Sequence, residues 1–205
     1  MSSHAAGAHW TSTGLDSRKI AFWAFIGSEC LLFGTLISTY LVYQGRSVVG
    51  PTTHEILNIP LTSVSTFVLL FSSLAMVLGL AGVQRAHPMM ARVWIGVTAL
   101  MGLVFLSFQV YEFRHFVAHG LGFTTNLFGS TFFTLTGFHG AHVFVGVVWL
   151  TTLLVRSFQG KLGPEKATQV EIAGLYWHFV DVVWIVIFTV VYLIQTTPLP
   201  ATAGA

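Results

Sequence analysis

The chain has 205 residues, of which 54% are hydrophobic and only 8% are charged. Because about a quarter of the residues in an average soluble domain are charged, this composition excludes a water-soluble globular domain. The formal net charge of +2 is too small to indicate a nucleic-acid partner, and none is expected.

Five apolar runs follow one another along the chain, and each is long enough to cross about 30 Å of hydrocarbon as a helix. In hydrocarbon a helix satisfies its own backbone polar groups. The sequence therefore predicts an all-α polytopic membrane protein with five transmembrane helices, at about residues 20–43, 61–84, 91–112, 129–158 and 171–195. They form one membrane domain at 20–195, between a polar cytoplasmic tail at 1–19 and a flexible outer tail at 196–205.

The basic residues are unevenly divided between the two sides of this predicted topology. One side has only Arg46 and Arg114, whereas the other has seven: Arg18, Lys19, Arg85, Arg92, Arg156, Lys161 and Lys166. Lys and Arg accumulate in the short cytoplasmic loops of membrane proteins. We therefore expect the N-terminus in the cytoplasm and the C-terminus outside.

The first helix carries Glu29 near its centre, within IGSECLLFG. An ionised carboxylate is costly in hydrocarbon, so this group should be protonated, hydrogen-bonded or turned towards a protein or water-filled interior. It is either a neutral acid that bonds a neighbouring helix or a group on a proton or lipid pathway. The adjacent Cys30 is the only cysteine, so no intramolecular disulfide or cysteine-based metal cluster can form within this sequence.

The second helix has small residues three and four positions apart, at Ser72, Ala75, Gly79 and Gly82. Such a face allows close approach of another helix in lipid, although ordinary lipid-facing residues would give the same pattern. The segment YEFRHFVAHGLGFTTNLFGSTFF, from 111 to 133, is rich in aromatic residues. Aromatic side chains favour the headgroup layer, so this segment is expected along the outer surface.

The fourth helix contains TGFHGAHVFVG, in which His139 and His142 are three residues apart on one face. Imidazole is the commonest protein metal ligand, and His178 would be the best third partner. One helix cannot place two such histidines on opposite sides of a haem, and no cysteine is suitably placed to complete a zinc or copper site. Structural histidines and ligands both remain open, and no metal is expected.

The fifth helix carries Glu171, His178 and Asp181 on one polar face, with Trp177 and Trp184 expected on the opposite side. Acids and histidines in a membrane helix face other helices. His178 and Asp181 are expected to pair with each other or with the histidines of the fourth helix.

EIAGLYWHFVDVVW and FFTLTGFHGAHVFVG resemble the signature of subunit III of the haem-copper terminal oxidases. IGSECLLFGTLISTY is similar to the first helix shared by that family, and the resemblance covers roughly 20–195. Mitochondrial-type members have seven helices, and many bacterial members lack the first two. The resemblance thus implies a short bacterial form with five helices, located in the plasma membrane.

The resemblance also implies a role. Subunit III carries no haem or copper, which belong to subunits I and II. It packs beside catalytic subunit I, with subunit II and small subunits in the same complex, and holds phospholipid in a cleft. It also supports proton uptake and the durability of a proton-pumping oxidase of the aerobic respiratory chain. This implies a chain without catalytic residues of its own.

The resemblance assigns roles to individual residues by position. Glu29 matches the acid that reacts with hydrophobic carbodiimides, and is expected towards subunit I or the lipid cleft, in support of the proton pathway. The family's polar motif positions, which imply a structural and lipid-organising role, are matched by His139, His142, Glu171, His178 and Asp181.

Several alternatives remain at this point. Cytochrome c is the favoured electron donor, but quinol oxidases and a relative linked to nitric oxide reductase share these motifs. A free-standing membrane b-type cytochrome would use His139, His142 and His178 as haem ligands. A small transporter would be gated by Glu29 and Asp181, although the sequence has no visible inverted repeat.

Overall fold

The computed structural model describes residues 17–44 and 58–194. The described part of the chain contains five long helices, and each is long and apolar enough to span a membrane. They are α1 (Ser17–Tyr43), α2 (Ile59–Gln84), α3 (Pro88–Ala118), α4 (Leu127–Phe158) and α5 (Ala167–Phe188). A 3₁₀ turn (Pro164–Lys166) precedes α5, and a π-helical segment (Thr189–Leu193) extends it. The predicted all-α architecture with five transmembrane helices is confirmed.

The helices begin earlier than the apolar runs predict, because polar caps and prolines mark their starts. The Asn58 side chain accepts a hydrogen bond from Leu61 N at the start of α2, and Pro88 is the first residue of α3. Proline suits the first turn, where its missing N–H has no helical partner to lose. Of the two predicted tails, residues 1–16 and 196–205 lie outside the described residues.

The segment expected along the outer surface, residues 111–133, is mostly helical. Helix α3 continues to Ala118, and Gly120 then adopts a left-handed conformation, with φ of 84°. Leu121 N donates to Phe116 O at 3.0 Å, which is the bond of a Schellman motif. Phe116 and Leu121 are both buried. The chain therefore folds back into α4 after a short turn.

Small residues on α2 do allow a close helix contact, as the second helix's spacing predicts. A Cβ atom added at Gly82 would lie 2.6 Å from Ala91 N, and one at Gly79 would lie 3.0 Å from Ile95 Cγ1. The backbones of α2 and α3 therefore touch where their sequence lacks side-chain bulk.

Trp177 of α5 holds the centre of the bundle together. Its indole fills space above Gly102 of α3 and Gly146 of α4, where an added Cβ would lie 2.5 Å and 2.8 Å from ring atoms. Its Nε1 donates to Ser72 Oγ of α2 at 2.9 Å. One side chain thus contacts three other helices.

Helix α1 is the most peripheral of the five. It packs on α4 and α5 and buries only Ile26, Phe33 and Tyr40, which recur every seven residues. Much of its remaining surface is exposed, and together with α4 and α5 it lines a groove.

Candidate functional site

The predicted acid of α1 and one predicted histidine of α4 form a pair in this groove. Glu29 Oε2 lies 3.1 Å from His142 Nε2, and the two side chains are 15% and 17% exposed. His142 Nδ1 lies 2.7 Å from Phe138 O. A carbonyl oxygen only accepts, so Nδ1 carries a proton and the Glu29 contact is made by the other ring nitrogen.

This geometry requires a proton between Glu29 and His142. If both Oε2 and Nε2 lacked one, two lone pairs would face each other. The proton lies either on His142, which gives an ion pair, or on Glu29, which gives a neutral pair in the same place. Either form places one proton between the two side chains.

The groove around the pair has a volume of about 570 Å³ and is lined largely by apolar side chains. Phe22, Phe25 and Trp149 form its walls, and Tyr176 of α5 donates from its hydroxyl to His142 O at 3.0 Å. The groove can accept an apolar chain beside a group that holds a proton.

His139 does not join His142, although the two share the helix. It is fully buried, and its ring stacks on Trp184 with centroids 4.8 Å apart and meets Phe105 edge-on. Neither ring nitrogen has a hydrogen-bond partner within the described residues. Three residues along a helix correspond to a rotation of about 300°, which leaves the two side chains about 60° apart. This difference suffices to direct His139 inward and His142 towards α1.

The polar face predicted on α5 is divided among different partners, and the expected pairing of His178 with Asp181 or with the α4 histidines is wrong. His178 Nδ1 lies 2.6 Å from Ser73 Oγ of α2. Glu171 forms a salt bridge with Lys19 of α1 at 2.7 Å. The side chains meet different helices because α5 is surrounded on several sides.

Asp181 is only 3% exposed, and neither of its carboxyl oxygens has a hydrogen-bond partner in the described residues. Ser73 lies close to the Asp181 carboxyl group, but the two groups do not meet the geometry of a hydrogen bond. The two tryptophans of α5 do not lie on the side opposite its polar residues, so that expectation is wrong. Trp184 Nε1 donates to Thr66 Oγ1 of α2 at 2.9 Å, so polar and aromatic side chains reach the same helix.

A second buried acid, Glu112, was missed as a site residue by the sequence reasoning. Its Oε1 accepts from Thr62 Oγ1 of α2 at 2.8 Å, and its Oε2 accepts from the Tyr192 hydroxyl at 3.0 Å. It therefore joins the ends of α2, α3 and the α5 extension. The signal is present in the sequence, since Glu112 continues the three-and-four spacing of Phe105 and Gln109 on the buried face of α3.

No group of three or more His, Cys, Asp or Glu side chains with the geometry of a metal site occurs within the described ranges. The histidines named as candidate haem ligands are each engaged elsewhere or separated. His142 bonds Glu29, His178 bonds Ser73, and His139 is enclosed by aromatic rings.

The comparisons with known proteins now decide the family. The family model described as cytochrome c oxidase subunit III matches residues 1–196. The chain belongs to the cytochrome c oxidase subunit III family. Its function is therefore that of subunit III in a haem-copper oxidase.

Curated relatives of this subunit III agree with the family model over most of the chain. The cytochrome c oxidase subunit 3 of Alkalihalophilus pseudofirmus is 40% identical over 200 residues, 92% of this chain and 97% of the relative. The protein of the same name from Bacillus sp. strain PS3 is 41% identical, over 86% of each chain. A probable quinol oxidase subunit 3 from Staphylococcus saprophyticus is also 41% identical, over 86% of this chain and 88% of the relative.

Proposed function

We propose that this subunit III is a non-catalytic part of a proton-pumping terminal oxidase, and that it supports the catalytic subunit beside it. Haem and copper belong to subunits I and II, and subunit I is the direct neighbour. The observation that carries the proposal is the Glu29–His142 pair, which holds a proton at the edge of an open groove. Such a pair serves proton supply to a neighbouring subunit better than it serves redox chemistry.

Phospholipid is the proposed occupant of the apolar grooves. Besides the groove at Glu29, a second one of about 530 Å³ lies between α2 and α3, lined by Leu61, Val104, Phe108 and Tyr111 among others. Acyl chains fill such grooves without leaving polar groups unpaired. Lipid in the first groove would also keep water away from Glu29.

Cytochrome c is the proposed electron donor. The motif LYWHFVDVVW and the glutamate at position 29 favour it, and so do the names of the relatives from Alkalihalophilus and Bacillus. Quinol is the second candidate, favoured by the staphylococcal relative of equal identity. Oxidation of reduced cytochrome c, but not of quinol, by the purified complex supports the first donor, and the reverse result supports the second.

The purified complex also tests the main proposal. In mild detergent, this chain should copurify with a large haem-containing subunit while the isolated chain shows no Soret band. A complex without it should still reduce oxygen but lose activity after fewer turnovers. Equal durability with and without the chain would contradict the supporting role, and a Soret band lost in His178→Ala would make the chain a cytochrome.

A further inference from the structure

Two histidines at the C-terminal end of α3 lie outside the site described above. His115 and His119 are four residues apart, both are exposed, and their ring centroids are only 4.1 Å apart. Side chains at this spacing occupy the same helical face. From this arrangement we propose a surface site for one divalent transition-metal ion, such as zinc, held by both imidazoles.

The hydrogen bonding of His119 prepares it for this role. Its Nδ1 lies 2.8 Å from His115 O, so Nδ1 must carry the proton and donate it. In the neutral ring, the lone pair is then on Nε2, which is the deprotonated atom that a metal binds. A metal-bound histidine usually donates its other N–H to a carbonyl or carboxylate in this way. The nitrogen of His119 that would bind the ion is thus set before an ion arrives.

The two rings are close enough together to share one ion. Zinc binds imidazole nitrogen at about 2.0–2.1 Å in tetrahedral geometry, which places the centroids of two coordinated rings roughly 5 Å apart. The observed centroid distance of 4.1 Å is shorter, so the two rings would turn apart to share one ion. Tyr111 lies beside His115 with its ring nearly parallel, at an interplanar angle of 12° and a centroid distance of 6.4 Å.

The position on the helix also favours a cation. Both histidines are in the last turn or cap of a 31-residue helix, where the negative end of the helix dipole lies. At 1.5 Å per residue, α3 is about 46 Å long, which exceeds the roughly 30 Å hydrocarbon layer. A helix of this length can extend past the hydrocarbon at its last turn, where the exposed pair would meet aqueous ions. Arg114 is the adjacent positive charge, about 100° around the helix from His115.

Only two protein ligands meet here, which sets the character of the site. Glu112 is buried and bonded to Thr62 and Tyr192, so it does not reach the ion. Water or a group from outside the chain would complete the coordination. The site would thus bind its ion reversibly and clamp the last turn of α3 next to the turn that leads into α4.

Zinc titration of the chelator-treated oxidase complex, followed by calorimetry, tests the proposal. His115→Ala and His119→Ala should each weaken binding of one ion per chain by about tenfold or more, and the double variant should lose less than the product of the two single losses. This follows because removal of either ring already destroys the chelate. His87→Ala is the matched control, since His87 is exposed at the other end of α3 and makes no capping bond. It should bind zinc as the wild type does.

Haem content and elution volume confirm that each variant is assembled. Unchanged zinc binding in both single variants would overturn the proposal. So would loss in only one of them, because that result describes a single-histidine contact. Nothing in this test depends on Glu29 or on the supporting role, so the two proposals fail separately.

Discussion

The proton between Glu29 and His142 has two positions that differ little in geometry. On either atom it keeps the 3.1 Å contact, while the second ring nitrogen remains bonded to Phe138 O. Tyr176 holds the backbone of His142 from α5. The ring is therefore held in place whichever of the two atoms carries the shared proton, and it lies within the hydrogen-bond reach that a proton donor or acceptor needs.

Replacement of either member should impair the oxidase in the same manner. Glu29→Ala and His142→Ala should each shorten turnover lifetime or slow proton uptake before haem content changes, because each leaves its partner without the shared proton. The measurement is the number of turnovers before inactivation, with haem content determined in parallel.

Glu29→Gln serves as the matched control. Its amide N–H can still donate to His142 Nε2, but it cannot release a proton at that step. We expect Glu29→Gln to resemble Glu29→Ala in lifetime. If it behaves as the wild type does, the pair serves packing alone.

Trp177 is a residue whose contribution is to stability. Trp177→Ala should destabilise the subunit by about 3–5 kcal/mol, because it empties the space between Gly102 and Gly146 and leaves Ser72 Oγ without its donor. Denaturation of the subunit in mixed micelles would measure this. Trp23→Ala is the control, since Trp23 is 58% exposed and should change stability little.

At the scale of elements, the α2–α3 contact depends on missing side chains. The turn between the two helices spans only a few residues, and His87 N donates back to Gly82 O at 2.9 Å. Gly82 therefore serves both the turn and the close approach to Ala91. Backbone atoms of α3 occupy the space next to Gly82. They cannot move aside as a flexible side chain can.

Gly82→Ala should separate α2 from α3 and lower stability by about 1–3 kcal/mol. The added Cβ would be 2.6 Å from Ala91 N. Gly137→Ala is the control on α4, because nothing lies within 4 Å of the corresponding Cβ position. It should be neutral or stabilise by up to about 1 kcal/mol through helix propensity. Equal thermal stability of the two variants would contradict the close contact.

Helix number and the small-residue face could be predicted from the sequence, because both depend on local composition. The partners of the polar groups could not. Whether His178 meets Asp181 or Ser73 depends on how α5 is rotated against α2, and spacing within one helix does not give this rotation. Glu112 falls within the aromatic segment 111–133 that the sequence assigns to the outer surface, because aromatic residues serve both the headgroup layer and a buried helix end.

At the scale of the whole molecule, contacts at the helix ends show which termini lie together. Lys19 at the start of α1 pairs with Glu171 near the start of α5, and Arg92 near the start of α3 donates to Ser157 O near the end of α4. At the other end, Gln44 donates to Ile194 O. The helices thus alternate in direction, and the described basic residues are concentrated at one end.

The positive-inside rule predicts that the end rich in Lys and Arg lies in the cytoplasm. With Cys30 replaced by Ser, Arg114→Cys should react with an impermeant thiol reagent in intact spheroplasts. Lys161→Cys should react only after the membrane is opened. Both positions are exposed, so reactivity reports the side of the membrane. The expected result follows because Lys161 is at the end rich in Lys and Arg, which stays in the cytoplasm. The opposite labelling pattern would invert the topology and place His115 and His119 inside the cell.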